Sequence, residues 1–373
     1  MTMNILYKIP LEAKDITQFL EEEKNFLIGF LGLLEGLDIT GLSKKNTDII
    51  TELKETFVSE VDKIFPAKNP QNQIQALLTL ARIQSKSFSK AKIEDLGITN
   101  RWVLLTDGYL GSFVEGDYET AILLYLISAI YQTRGNAHVQ TSPQYRYYHI
   151  SSLSALKGAI LFMENLAPEE EHYAYPFYQL LLLRKLEIEA EVTKAEAFIA
   201  RKKGDFNKAS KLFAGAASFR FSMMNYDLPS ESDNRVKIYA STELGMACFY
   251  IAVGYSNLNE SQQAYSYLLK AKSYFENAAK LSESNTELLE AANKRLDLVN
   301  PYIDRIQATI EPEEVKIDEI ADPQPLMVHP DPEPLFAPND KSEGQLRICS
   351  NCIKKIVWAD ICTECGENII PFE

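Results

Sequence analysis

The sequence predicts an all-α helical body, followed by a proline-rich linker and a small C-terminal unit that is rich in cysteine. Three observations support this prediction. Apolar residues recur at spacings of three and four from residue 14 to about residue 309, whereas the alternation that is typical of strands is scarce. Seven of the 16 prolines lie in Glu311–Gln345. Four of the five cysteines lie among the last 25 residues.

Eleven helices are predicted before the linker, and their limits are set by proline, glycine and capping residues. They are Lys14–Leu37, Lys44–Phe65, Gln71–Phe88, Asn100–Val114, Tyr118–Thr133, Pro143–Asn165, Glu169–Lys203, Phe206–Asn225, Ser232–Tyr255, Ser261–Leu281 and Asn285–Ile310. Much of Ala121–Tyr131 is apolar on all sides, which is typical of a helix in the middle of a stack.

The proline-rich segment is predicted to be an extended linker. The repeated Pro-x-Pro pattern of Glu311–Gln345 cannot support a helix. A flexible chain of this length spans about 30 Å on average, so we expect the C-terminal unit to unfold independently of the helical body. Two apolar islands interrupt the segment, Leu326–Val328 and Leu335–Phe336. They either pack on the helical body or form a docking motif for a partner.

Composition favours a globular protein without a membrane span. The 373 residues, of which 46% are hydrophobic, can bury a core in one large or two to three ordinary domains. The longest apolar stretches, Asn25–Leu37 and Ala121–Tyr131, are shorter than the roughly 20 residues that a span needs. The N-terminus lacks the pattern of a signal peptide. We therefore expect a cytoplasmic protein that does not contact a membrane.

The net charge of −14 is concentrated in the proline-rich segment. Glu311–Gln345 contains ten acidic residues and two lysines, a net charge of −8, so the other 338 residues carry only −6. The helical body is therefore not strongly acidic. This distribution also removes the general electrostatic case for nucleic-acid binding, which favours a basic stripe.

A short pattern recurs within the helical body. Gly116-Asp117-Tyr118 and Gly204-Asp205-Phe206 each combine a turn glycine, a capping carboxylate and an aromatic residue that begins a helix. Large and small residues then follow at offsets 0, 3, 7 and 10, which places them on one helix face. The three sets are Tyr118, Ala121, Tyr125 and Ser128; Phe206, Ala209, Phe213 and Ala216; and Leu268, Ala271, Phe275 and Ala278. The small residues allow a neighbouring helix to approach closely.

This pattern resembles the tetratricopeptide repeat. In that family the first helix of each unit carries a small residue near its eighth position, where this sequence has Gly108, Ala197 and Gly245. The 88-residue gap between the first two units is not a multiple of the usual period of about 34, so the array is divergent. The resemblance implies a solenoid of stacked helical hairpins whose concave surface binds protein segments. A helical bundle with similar packing is the alternative.

The C-terminal cysteines form two Cys-x-x-Cys pairs. They are Cys349, Cys352, Cys362 and Cys365. This spacing strongly favours one structural Zn²⁺ per chain, held by four thiolates, and Gly366 suits the tight turn after the second pair. Leu346–Glu373 has only 28 residues, and units of that size rarely fold without a metal, disulfides or a partner. The unit resembles a small zinc ribbon. Two disulfides or a redox dithiol are the alternatives.

The sequence therefore predicts three parts: an α-helical tetratricopeptide-like domain over 1–310, an acidic proline-rich linker over 311–345 and a zinc ribbon over 346–373. We find no zinc-protease motif, glycine-rich phosphate loop or nucleophile elbow. The leading hypothesis is a non-enzymatic adaptor whose helical domain binds a protein partner and whose ribbon binds a second partner. An enzyme is the least favoured hypothesis, and the oligomeric state is not indicated.

The runner-up hypothesis is a factor related to the ribosome or a polymerase, in which the ribbon contacts RNA or DNA. Positive charge and a stacking surface would come from Arg347, Lys354, Lys355 and Trp358. Three cations are few, and acidic residues of the ribbon oppose them. Strong nucleic-acid binding by the ribbon is therefore not expected.

Overall fold

The structure is a computed structural model, and twelve stretches of the chain are described. They are residues 34–36, 39–64, 70–90, 101–103, 110–112, 116–166, 174–226, 230–310, 315–341, 346–349, 351–357 and 361–368. Helices dominate these stretches, which confirms the all-α prediction. Most of the predicted helix Lys14–Leu37 lies outside them.

Nine α-helices occur within the described stretches. They are α1 (Lys44–Ile64), α2 (Pro70–Phe88), α3 (Gly116–Asn136), α4 (Pro143–Leu166), α5 (Tyr175–Lys202), α6 (Phe206–Met223), α7 (Ser230–Asn257), α8 (Ser261–Leu281) and α9 (Thr286–Gln307). The same stretches contain two antiparallel two-stranded sheets: β1 (Arg101–Val103) with β2 (Leu110–Ser112), and β3 (Leu346–Ile348) with β4 (Lys355–Val357). The helix α8 has the limits that the sequence predicts.

The predicted helix Asn100–Val114 is wrong. Strands β1 and β2 form a hairpin there, with Trp102 opposite Gly111. Strand-forming residues followed by Asp107-Gly108, a dipeptide typical of hairpin turns, account for the difference. The first tetratricopeptide-like unit therefore lacks the helix to which Gly108 was assigned, although Gly108 itself lies outside the described residues.

The chain divides within α5 into two compact units. The first contains residues 1–185 and 331–373, and the second contains residues 186–330. In the first unit, α1 to α4 pack in chain order, each on the next. Every side chain from Tyr118 to Tyr131 is buried, as expected for a helix between two neighbours. Ser128 Oγ and Ser152 Oγ, 2.8 Å apart, link α3 to α4.

In the second unit, α6 to α9 also pack in chain order. Ala209, Phe213 and Ala216 are buried in helix contacts, as the repeated pattern predicts. A Cβ added to Gly245 would lie 2.4 Å from the ring of Phe275, so α7 and α8 approach closely at this glycine. The packing predicted by the repeat is confirmed here, and the assignment of these hairpins to the tetratricopeptide family stays a prediction.

We call residues 315–341 the strap, because this extended segment packs along helices in each unit. The expectation of a flexible linker is therefore wrong for these residues. In the second unit, Leu326 N donates to Lys211 O of α6 at 2.7 Å, and Asp322 pairs with Lys270 of α8 at 2.9 Å. A Cβ added to Gly215 would lie 2.2 Å from Leu326 O, so this glycine lets the strap backbone lie directly on α6.

One described helix is long and apolar enough to cross a membrane. It covers Ser232–Asn257 within α7, and 72% of its apolar window is buried. Core helices pass the same test of length and composition.

Candidate metal centre

The structure brings the four C-terminal cysteines together. Their Sγ atoms all lie within 4.8 Å of one another. Cys349 Sγ and Cys365 Sγ are 3.7 Å apart, as are Cys352 Sγ and Cys362 Sγ. Four sulfurs at about 2.3 Å from a tetrahedral Zn²⁺ would be separated by about 3.8 Å. The arrangement therefore fits a four-thiolate metal site.

Two turns of the same backbone design present the sulfurs. In the first, Ile353 N donates to Cys349 O at 2.9 Å, and Cys349 N donates to Lys354 O at 3.0 Å. In the second, Gly366 N donates to Cys362 O and Cys362 N donates to Glu367 O, each at 2.9 Å. The fifth position of each turn has a positive φ, 54° at Ile353 and 73° at Gly366. The predicted role of Gly366 in the turn is confirmed.

The four thiols have different surroundings. Burial raises the pKa of Cys349, and burial raises the pKa of Cys352 to about 12. At the exposed edge, the backbone N–H of Glu367 lowers the pKa of Cys365 to about 7, and the side-chain amide of Asn351 adds to this effect. A bound dication favours the thiolate form of its ligands, so metal binding at this site would release protons.

The ribbon packs on the helices of the first unit. Arg347 of β3 is 2% exposed, and its guanidinium carbon lies 5.3 Å from the centre of the Tyr147 ring on α4. Gln75 Nε2 of α2 donates to Leu346 O at 3.3 Å. These contacts place β3 against α2 and α4. The expectation that the ribbon is independent of the helical body is therefore wrong.

The first cysteine turn also holds the strap. Glu333 N donates to Ile353 O at 3.1 Å. The carboxylate of Glu333 accepts from Lys354 Nζ and from Lys355 N, each at 2.8 Å. Lys354 lowers the pKa of Glu333 through this hydrogen bond. Lys355 Nζ pairs with Asp340, farther along the strap.

Beyond Glu333, the strap packs directly on α4. Ser154 Oγ donates to Glu333 O at 2.6 Å, and Leu335 N donates to Ser154 O at 3.2 Å. Phe336 is buried, with its ring centre 5.7 Å from that of Phe162. A Cβ added to Gly158 would lie 2.2 Å from Phe336 O. The alternative in which Leu335–Phe336 packs on the helical body is therefore confirmed.

These contacts change the interpretation of the nucleic-acid candidates. Arg347 is buried against Tyr147, and Lys354 and Lys355 pair with carboxylates of the strap. Trp358 lies outside the described residues. The three cations offered for a nucleic acid are thus engaged within the protein.

Sequence reasoning missed the residues that dock the ribbon. The contacts of Glu333 and Tyr147 join positions far apart in the chain, which periodicity does not show. A signal for the docking of the strap was nevertheless present at Gly158. A glycine in the middle of a helix is destabilising relative to alanine, and it often marks a close approach of another backbone.

Comparison of the sequence with models of protein families and with curated proteins gives no match. The fold, however, is similar to that of solved BRO1 domains. The ALIX BRO1 domain in complex with CHMP4C matches with a TM-score of 0.55 and 12% identity, over 80% of this chain and 88% of that chain. A Bro1 domain studied as the basis for endosomal targeting matches with a TM-score of 0.51 and 13% identity, over 82% and 88%.

A longer structure gives a similar result. ALIX in complex with the PYKEVTEDL late domain of SIVmac239 matches with a TM-score of 0.57 and 12% identity, over 82% of this chain. This chain spans 46% of the length of that one. At these identities the likeness concerns the fold alone. The helical body therefore resembles a BRO1 domain, and the cysteine cluster could hold a metal ion.

Proposed function

We propose that this chain is a non-enzymatic cytoplasmic scaffold that binds protein segments through its helical body. The observation that carries the proposal is the BRO1-like fold, which covers 80% of this chain and 88% of a BRO1 domain solved in complex with CHMP4C. A CHMP4-like segment is therefore the first candidate partner. The domain limits 1–310, 311–345 and 346–373 remain a proposal.

We further propose that the helical hairpins of the second unit belong to a divergent tetratricopeptide-like array. Three features support this proposal. Asp205 Oδ1 caps α6 by accepting from Lys208 N at 3.0 Å, and Gly204 has a φ of 79°. Ala209 and Phe213 are buried on the same helix face. Gly245 provides the close approach to Phe275 that a small residue supplies in the family.

We propose that the cysteine cluster holds one structural Zn²⁺ per chain. Its ligands would be Cys349, Cys352, Cys362 and Cys365. Four thiolates fill a tetrahedral coordination sphere, so this ion would shape the two turns and would not bind a substrate. The ribbon would then act mainly within the chain, by holding the strap. A second partner would bind at the exposed turn around Ile361 and Cys365.

The surface proposed for the protein partner is the face of α6 and the strap in the second unit. Two large apolar side chains are exposed there, Phe221 on α6 and Leu326 on the strap, with exposed fractions of 47% and 42%. The strap lies on α6 through Leu326 N and Lys211 O, so both side chains belong to one packed substructure. We propose these two side chains as apolar anchors for a partner that covers α6 and the strap.

The proposal is tested by capture of partners on the immobilised full chain, followed by titration of each captured protein and of a CHMP4C segment. We expect a saturable partner whose binding is lost in Phe221→Asp and in Leu326→Asp. Leu258→Asp is the matched control, since Leu258 is 68% exposed in the turn that follows α7. Failure of the chain to retain any saturable protein partner would contradict the proposed function.

A further inference from the structure

Two arginines of the second unit lie near one tyrosine ring. Arg201 lies in the last turn of α5, and its guanidinium carbon is 5.8 Å from the centre of the Tyr250 ring on α7. Arg295 lies on α9 and is close enough to interact electrostatically with both Arg201 and Tyr250. Burial lowers the pKa of Arg295, and the charge of Arg201 lowers it further. Arg295 precedes Val299 by one helical turn, and Val299 packs in the same core cluster as Tyr250, so the fold brings both arginines to the same side of α7.

No acceptor for these guanidinium groups occurs among the described residues. Neither Arg201 nor Arg295 donates to a carboxylate, carbonyl or hydroxyl oxygen in that part of the chain. The buried Arg220 of the same unit behaves differently, since it pairs with Glu191 at 2.5 Å. Each guanidinium carries five N–H donors. Arg201 is exposed, so its donors can bind water, whereas Arg295 is partly buried, where a donor without an acceptor is unfavourable. The Tyr250 hydroxyl adds another donor that has no acceptor in the described stretches.

The surrounding sequence is basic. Residues 201–211 contain five cations and a single acid, Asp205, in a chain whose net charge is −14. The Asp205 carboxylate is already engaged as the cap of α6. Exposed lysines at a helix C-terminus are common because they complement the helix dipole. That explanation does not extend to Arg295, which projects from a different helix and is partly buried.

We propose that Arg201, Tyr250 and Arg295 form a receptor site for one oxyanion, a carboxylate or a phosphate, carried by a protein segment. Planar guanidinium groups match such groups with paired hydrogen bonds, and the tyrosine hydroxyl supplies a further donor. The convergence of two arginines on one ring fits a single anionic side chain better than the extended backbone of a nucleic acid. The proposal that a protein segment carries the oxyanion rests on the proposed scaffold function. The oxyanion site itself rests on the three side chains.

The first test uses inorganic phosphate and the full chain, with melting followed at constant ionic strength. We expect 10 mM phosphate to raise the melting temperature, and Arg201→Gln or Arg295→Gln to abolish that shift. Arg305→Gln is the matched control, because Arg305 is an exposed arginine of the same helix that stacks on Tyr302. Without phosphate, Arg295→Gln should raise the melting temperature, since it removes a partly buried charge that repels Arg201.

The second test identifies the carrier. Labelled peptides of one sequence with serine, glutamate or phosphoserine at the central position are titrated against the full chain. We expect at least tenfold tighter binding of the glutamate or phosphoserine peptide than of the serine peptide, with the advantage lost in Arg201→Gln and kept in Arg305→Gln. The chain could instead bind phosphatidylserine vesicles in a way that depends on Arg201 and Arg295, and bind the three peptides equally. That result would contradict the proposal that a protein segment carries the oxyanion.

Two further results would overturn the site itself. One is an equal phosphate shift in wild type, Arg201→Gln and Arg295→Gln, which would mean an adventitious ion only. The other is a captured protein partner that binds Arg201→Gln and Arg295→Gln as tightly as wild type. In that second case the scaffold function stands and the oxyanion site fails, so the two proposals are separable.

Discussion

Removal of the proposed Zn²⁺ from the ribbon is expected to release the strap from α4. The perturbation is Cys365→Ser, which changes the exposed ligand of the cluster and disturbs packing least. Loss of the ion would disrupt the turn whose backbone at Ile353 and Lys355 forms hydrogen bonds with Glu333. It would also free β3, which carries the buried Arg347. The strap would then lose its anchors at the ribbon while its own sequence stays intact.

The expected effect is large enough to measure. The stacking of Arg347 on Tyr147 contributes about 2 kcal/mol in a desolvated setting. The two hydrogen bonds that join Glu333 to the backbone at Ile353 and Lys355 contribute about 1 kcal/mol each. Together these contacts amount to about 4 kcal/mol, which corresponds to roughly a thousandfold change in an opening equilibrium.

Hydrogen exchange of the strap reports this opening. The amide of Leu335 donates to Ser154 O, so its exchange rate follows detachment of the strap from α4. We expect exchange at Leu335 to accelerate by up to about a thousandfold in Cys365→Ser and after zinc chelation. Cys248→Ala is the control, because Cys248 is a buried cysteine of the second unit and not part of the cluster.

One outcome would refute the reasoning. If the ribbon amides exchange freely after zinc removal while Leu335 keeps its protection, the strap docks without help from the metal. Amides in the middle of α3 serve as an internal reference. They should stay protected, because general unfolding of the first unit would expose them together with the strap.

Three further predictions concern packing and charge. Gly158→Ala should destabilise the protein by about 1–3 kcal/mol in a urea melt, because the new Cβ would meet Phe336 O at 2.2 Å. Gly254→Ala is the control and should be neutral or stabilising, because the nearest atom to its new Cβ lies at 3.9 Å. Phe213→Ala should cost about 3–5 kcal/mol through the cavity that it leaves, and a silent change would contradict the packing of α6. Glu333→Gln should destabilise the protein at pH 7. Because the pKa of Glu333 is lowered in the folded state, its contribution is present above the ordinary value of 4.5 and lost as pH falls through the folded value, so wild type and variant should converge in acid melts.

The sequence was sufficient for features that depend on neighbouring residues. Helix limits followed from proline, glycine and capping residues, as at Asp205, and the predicted limits of α8 match the structure. The cysteine spacing predicted the cluster because two residues between paired ligands leave room for one kind of tight turn. The hairpin at Trp102 was missed because its residues were judged by helical periodicity, although Asp107-Gly108 is a hairpin signal.

Docking of the strap could not be predicted from periodicity. The bond between Ser154 and Glu333 joins residues 179 positions apart, and proline-rich composition alone favours a flexible linker. Glycines inside helices carried the usable signal, since Gly158 and Gly215 both lie under the strap backbone. The charge count also did not indicate what the acidic residues of the segment do. Asp322 pairs with a lysine of α8, and other strap acids pair with lysines of the first unit.

The central proposal is that the four C-terminal cysteines hold one zinc ion, which holds the ribbon in the form that packs on the first unit. Native mass spectrometry of the full 42.2 kDa chain, combined with X-ray absorption at the zinc edge, tests this claim most directly. We predict one zinc per chain with four sulfur neighbours at about 2.3 Å, and its loss in Cys349→Ser and in Cys362→Ser. A metal-free chain, or a chain with two disulfides among these cysteines, would contradict the claim.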